Sequence, residues 1–170
     1  NHLGHYASIV RLWPALVRGS ARVIVYSSAG HHNSPIRWDD LQFDRGYDKW
    51  AAYGQAKTAN VLFAVRADQL GASAGVRTFA LHPGAILTPL QRHLPTAEMV
   101  ELGWIDGEGH VLDPTFKTVS QGAATGLWAA TSRRLDGAGG LYLEDCDVAT
   151  IAEGDVSDHN GSGVKRYAID

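Results

Sequence analysis

The sequence predicts an α/β fold in which a parallel sheet is flanked by helices. Three observations carry that expectation. Segments alternate strand, helix, strand, helix, strand along 170 residues, the order that right-handed crossovers turn into a parallel sheet. The segments ARVIVYSS and VRTFALHPG are nearly unbroken apolar runs, as strands buried on both faces are. The longest helical segment is rich in Ala and Leu. About three strands make a narrow sheet, so the chain reads as the second half of a wider one.

The elements follow in order. Residues 1–18 place Leu3, Tyr6, Ile9, Val10, Trp13 and Val17 at mostly helical spacing before Gly19, with a kink expected at Pro14. The first strand is ARVIVYSS, followed by a polar loop to about Lys49. WAAYGQAKTANVLFAVRADQLGAS is the strongest helix, ended by Gly71 or Gly75. VRTFALHPG is the second strand, stopping at Pro-Gly. Residues 85–114 are irregular, TVSQGAATGLWAATS is a further helix, and GGLYLED is the third strand. The tail from Cys146 reads as polar loop.

Composition narrows the function classes. A net charge of −3 without a basic stripe argues against nucleic acid as a partner. No apolar run approaches the ~20 residues that cross a bilayer. A single cysteine, Cys146, forbids an internal disulfide and fits a reducing, cytoplasmic compartment. The chain starts at Asn1 without a Met and inside a helical pattern, so we expect an internal piece of a longer protein.

The chemistry concentrates on Tyr53 and Lys57. Four residues apart on a helix, they share one face. A free phenol has a pKa of about 10. An ammonium ~5 Å away, at an effective dielectric of ~20, stabilises the phenolate by roughly 3 kcal/mol. That predicts a pKa lowered by about two units, towards the range where a tyrosine passes protons at neutral pH. Ser28 ends the first strand and Pro83-Gly84 the second, at the carboxyl edge where α/β sheets present ligand-binding groups. A hydroxyl at Ser28 can donate to a carbonyl or a developing alkoxide.

NHLGHY, VIVYSSAG, YGQAKTAN and LHPGAILT, in this order and spacing, resemble the second half of a short-chain dehydrogenase/reductase. The resemblance is closer to its retinol-dehydrogenase-like and WW-domain-oxidoreductase-like branch, and spans essentially the whole chain. It implies a Rossmann-type fold of which residues 1–170 are the C-terminal catalytic part, the N-terminal cofactor-binding half being absent. It implies an NAD(P)-dependent oxidoreductase acting on a small alcohol or carbonyl substrate. By that resemblance Tyr53 is the acid/base, and Lys57 lowers its pKa and holds the nicotinamide ribose. Ser28 positions the substrate oxygen, and Asn1 completes a proton relay through water. Pro83, Gly84, Ile86 and Thr88 lie against the nicotinamide. A homodimer or homotetramer is compatible with the family, as is a monomer. Ala56 and Thr58 stand where the branch often has Ser and Leu, and neither handles protons.

The Gly-rich pyrophosphate turn and the residue selecting NAD or NADP are not in the chain, so the piece alone is expected to bind cofactor weakly or not at all. Two alternatives accompany this reading: a scaffold that keeps the fold without its activity, and a truncated product that exposes apolar surface along the first strand and opening helix.

Other polar residues read as structural. Ser27 points to the opposite side from Ser28. His31 and His32, without ligands at a metal-binding spacing, read as solvated loop histidines. His82 reads as a packed, hydrogen-bonded strand-end residue. Asp39, Asp40 and Asp44 read as a solvated charged loop with Arg37 and Arg45. Cys146, between Asp145 and Asp147, is disfavoured as a nucleophile. The apolar residues between Ala85 and Phe116 read as a lid over an apolar pocket, which favours a lipophilic substrate.

Overall fold

The computed structural model describes residues 1–153 and 161–170. Helices are α1 (Leu3–Arg18), α2 (Lys49–Gly71), α3 (Thr96–Glu101) and α4 (Val119–Thr131). Strands are β1 (Arg22–Tyr26), β2 (Arg77–Leu81), β3 (Leu141–Glu144), β4 (Asp147–Val148), β5 (Ile151–Ala152) and β6 (Val164–Lys165). β1, β2 and β3 pair in parallel in that order, and β4 adds an antiparallel edge.

The three parallel strands are the ones that the apolar runs predict, and their side chains alternate between two layers. Val23, Val25, Ala80 and Tyr142 face Val61 and Ala64 of α2, with Ile9 and Trp13 of α1 packed alongside. Ile24, Phe79, Leu81, Leu141 and Leu143 face Trp128 and Ala129 of α4. Strands with both faces covered lack polar alternation for this reason. Arg77 fastens the crossover from α2, donating from Nε and Nη2 to the two oxygens of Asp68, each at 2.9 Å.

α1 runs unbroken through Pro14. None of its residues is buried, and Leu3, Tyr6, Val10 and Leu12 are exposed. Among the described residues, no helix is long and apolar enough to cross a membrane.

The tail departs from the expected loop. Asp145 and Cys146 both take left-handed backbone conformations, with φ 49° and 60°, and turn the chain back into β4. β5 and β6 pair in parallel, and Lys165 leads into a 3-10 turn, Arg166–Ala168. Two-residue strands carry no periodicity in sequence, so only their partners define them.

Candidate active site

The site begins where β1 ends. Ser27 is buried, and its hydroxyl donates to the Lys57 carbonyl at 2.8 Å, coupling the strand end to α2. Ser28 has an extended backbone and caps the 3-10 turn Ala29–Asn33, its Oγ accepting from the Gly30 N–H at 3.0 Å. The Ser28 hydroxyl is also hydrogen-bonded to the Tyr53 phenol.

Two glycines permit that approach. A Cβ on Gly30 would stand 2.5 Å from Tyr53 Cε1, and one on Gly54 would stand 2.9 Å from both the Gly30 carbonyl oxygen and the Ser34 nitrogen. The loop and α2 therefore meet backbone to backbone beside Tyr53. The sequence reading missed both glycines.

α2 starts at the N-cap Asp48, which accepts from the Ala51 N–H at 2.7 Å. Tyr53 and Lys57 follow on its first turns and face the same way, with Lys57 Nζ 5.4 Å from the Tyr53 ring centroid. The expected lowering of the Tyr53 pKa is not found. Burial pushes the phenol above its ordinary value, and the Ser28 hydrogen bond only partly opposes this. Burial also pushes the Lys57 ammonium below its ordinary value. The expectation counted the attraction between the charges and left out the cost of taking both from water.

The Tyr26 carbonyl collects the polar groups behind the pair. Lys57 Nζ donates to it at 3.4 Å, and Asn60 Nδ2 at 3.2 Å. Asn60 Nδ2 also donates to the backbone carbonyl of Asn1 at 3.2 Å, and its Oδ1 lies 2.9 Å from His2 Nδ1. Asn1 thus joins the cluster through its backbone carbonyl. Asn60, fully buried, was not singled out in the sequence. The available signal was an amide two helical turns beyond Tyr53 on the same face.

At the end of β2, His82 donates its backbone N–H to the Leu143 carbonyl at 2.9 Å and accepts the Ala29 N–H on Nδ1 at 3.1 Å. It is the packed strand-end residue expected. Pro83 and Gly84 follow, with the Lys117 side chain lying over Gly84 and paired with Asp145. Ile86 packs against Gly122 of α4. Gln91 locks the next turn, accepting the Thr88 N–H and donating to the Ile86 carbonyl, each at 2.9 Å. The structure therefore brings Ser28, Tyr53 and Lys57 together, with the Asn1 backbone at one side, and places Pro83 and Gly84 next to the strand end that carries His82.

Other loop expectations need correcting. His31 and His32 are fully buried instead of solvated. The His31 carbonyl accepts from Thr58 Oγ1 at 3.2 Å and the Tyr167 hydroxyl at 2.8 Å. His32 Nε2 lies 3.0 Å from the Gly163 carbonyl. These partners sit up to 136 residues away along the chain, out of reach of local spacing. Asp40 is buried too, accepting from the backbone of Asp44 and Arg45 and from the Arg37 guanidinium.

In the 85–116 segment Ile105 is buried and Trp104 packs edge-on to Trp50 and beside Phe116, while Leu90, Leu102 and Leu112 are exposed. Asp106, Glu108 and His110 gather within 4.8 Å on this segment, where Asp106 accepts the Glu108 and His110 N–H groups and closes the loop.

The chain is 45% identical over 174 residues to a Streptomyces lividans protein named "Probable oxidoreductase", covering all of this chain and 57% of that one. It is 37% identical over 176 residues to the short-chain dehydrogenase/reductase prx1 of Penicillium roqueforti, covering all of this chain and 50% of that one. The chain belongs to the short-chain dehydrogenase/reductase family. Human retinol dehydrogenase 12 is 36% identical over 147 residues, with 86% of this chain and 44% of that protein covered. The chain spans about half the length of the curated relatives it matches. No protein-family model matches it.

Solved short-chain reductases share the fold. A 3-oxoacyl-[acyl-carrier protein] reductase from Brucella melitensis superposes with TM-score 0.57 at 17% identity, covering 84% of this chain and 47% of that one. A second such reductase from Brucella melitensis, with bound NAD, gives 0.54 at 19%, covering 84% and 46%.

Proposed function

We propose that this short-chain dehydrogenase/reductase exchanges hydride between an alcohol or carbonyl substrate and a nicotinamide cofactor, with Tyr53 as acid/base. The observation that carries the reading is the Ser28 hydroxyl bonded to the Tyr53 phenol at the sheet's carboxyl edge, with Lys57 one helical turn farther on.

The residues fit a nicotinamide ribose. An ammonium has three donors, and Lys57 makes one long bond, 3.4 Å to the Tyr26 carbonyl. It keeps donors for ribose hydroxyls. A reductase of the same fold binds NAD, and NADP is the other candidate. The bound cofactor supplies or accepts the hydride.

The chain's residues handle the proton and the geometry. In the reducing direction Tyr53 donates its phenolic proton to the carbonyl oxygen, while Ser28 donates a hydrogen bond that holds this oxygen. Burial keeps Tyr53 protonated at neutral pH, the form an acid needs. Burial also loosens the Lys57 proton, which suits a group that returns a proton to the phenol. Asn60 joins the carbonyls of Tyr26 and Asn1 behind Lys57 and orders that side of the relay.

The Trp50, Trp104 and Phe116 cluster supports an apolar lid and a lipophilic substrate. Because the chain spans about half of its relatives, we place residues 1–170 as the catalytic part of a single Rossmann-type domain whose pyrophosphate site lies in the other part.

The test is Tyr53→Phe in the intact protein, with nicotinamide absorbance followed against a panel of aldehydes, ketones and alcohols. We expect a kcat loss of about 10²- to 10⁴-fold with cofactor affinity unchanged. Turnover retained in the phenylalanine variant overturns the role of Tyr53.

A further inference from the structure

One peptide group, between Ser28 and Ala29, is gripped from both sides by imidazoles. His31 Nδ1 lies 2.7 Å from the Ser28 carbonyl oxygen, and the Ala29 N–H donates to His82 Nδ1 at 3.1 Å. A carbonyl only accepts, so His31 carries its proton on Nδ1. An N–H only donates, so His82 offers a lone pair there. The Lys165 backbone N–H donates to His31 Nε2 at 3.1 Å, which requires the same tautomer of His31. Two neutral histidines of opposite tautomer therefore hold the two ends of one peptide, one from the turn after β1 and the other from the end of β2.

That peptide begins at the Cα of Ser28, and its plane, together with that of the preceding strand-end peptide, fixes the direction from which the side chain leaves. We infer that His31 and His82 are positioning residues that aim the Ser28 hydroxyl at Tyr53 by fixing the Ser28–Ala29 peptide. The catalytic consequence rests on the oxidoreductase reading above, whereas the grip itself does not.

The grip has a defined chemical weakness. A proton added to His82 Nδ1 would face the Ala29 N–H, and one added to His31 Nε2 would face the Lys165 N–H. His31 is faced by His32, His82, Lys165 and the Tyr142 hydroxyl, and His82 by Glu144, Lys117, Asp145 and His32. Burial, the largest influence on each, holds both imidazoles at a pKa of about 4. The grip therefore holds through neutral pH and is released in acid.

Two variants separate the grip from general packing. His82→Leu removes the acceptor, while His82→Asn can present its Oδ1 where Nδ1 stood. Three quantities are measured on the intact protein: amide exchange of Ala29, cofactor affinity, and kcat per folded molecule, with folding checked by circular dichroism. His82→Leu is expected to raise Ala29 exchange at least about tenfold and to lower kcat by about 10- to 100-fold, with cofactor affinity within about twofold. His82→Asn is expected to restore most of both losses. His31→Asn, which keeps a donor towards the Ser28 carbonyl, gives the same readout from the other side, with kcat within about tenfold of the parent.

Faster Ala29 exchange with unchanged kcat in His82→Leu overturns the positioning role. Unchanged Ala29 exchange overturns the grip itself. A parent protein without turnover sinks the oxidoreductase reading instead, and Ala29 exchange then decides the grip alone.

Discussion

The Tyr53 ring lies against the bare backbone of Gly30: a Cβ there would fall 2.5 Å from Cε1, 2.9 Å from Cδ1 and 3.3 Å from Ser28 Oγ. The backbone of Gly30 is not in the left-handed region, so space alone demands glycine. Gly30→Ala should push the ring off Ser28 at a cost of about 1–3 kcal/mol in stability and about 10²-fold in kcat. Chemical unfolding and steady-state kinetics read the two effects separately. An alanine variant with parental kcat would show that the contact between ring and backbone does not set the geometry.

The titration of Tyr53 follows from its surroundings. Its phenol sits above the ordinary value because it is buried, and the Ser28 hydrogen bond draws it back. Ser28→Ala removes that opposing influence, so the phenol should titrate at still higher pH. The measurement is the difference in ultraviolet absorbance between each protein and its Tyr53→Phe counterpart, which isolates one phenol from the other five. A Tyr53 that ionises below the ordinary tyrosine value would restore the attraction of Lys57 as the dominant influence.

How much of this was legible in the sequence depends on the range of the interactions. β1, β2 and β3 were readable because burial on both faces leaves a local apolar run. The pairing of Tyr53 with Lys57 was readable because helical geometry fixes residues four apart. His31, His32 and Asp40 were not, because their burial comes from remote partners or from a loop folding over itself. The same limit governs the Tyr53 pKa. Distance to Lys57 could be reckoned from helix geometry, but its burial depends on Gly30 and the turn that carries it, more than twenty residues earlier in the chain. Two residues of identical type also met different fates: Asp39 is a solvated partner of Arg45, whereas Asp40 next to it is buried.

Asp40 offers a test of that difference. It gathers two backbone N–H groups and the Arg37 guanidinium around one buried carboxylate. Asp40→Ala would leave those donors without their acceptor and should destabilise the protein by about 2–4 kcal/mol. Asp39→Ala breaks only an exposed pair with Arg45 and should change stability by less than about 1 kcal/mol. Equal effects in urea unfolding would return Asp40 to the solvated loop.

The imidazoles of buried His31 and partly buried His82 also set the acid limit of the fold. Each has an ordinary pKa of 6.5 and a folded value of about 4, so the unfolded chain binds these protons more readily than the folded one. Their contribution to stability is complete above 6.5 and is lost as pH falls from there towards about 4. The step corresponds to about 3 kcal/mol for each imidazole, and repulsion between the two charges makes protonating both harder still. Urea midpoints should therefore hold level from about pH 8 to 6.5 and fall steeply below. A variant carrying both His31→Asn and His82→Asn should lose much of that slope, leaving the carboxylates to account for the remainder at lower pH. A parent protein equally stable at about pH 7 and 4.5 would mean that water or a compensating charge reaches these rings, and the neutral-tautomer grip on Ser28 would have to be abandoned with it.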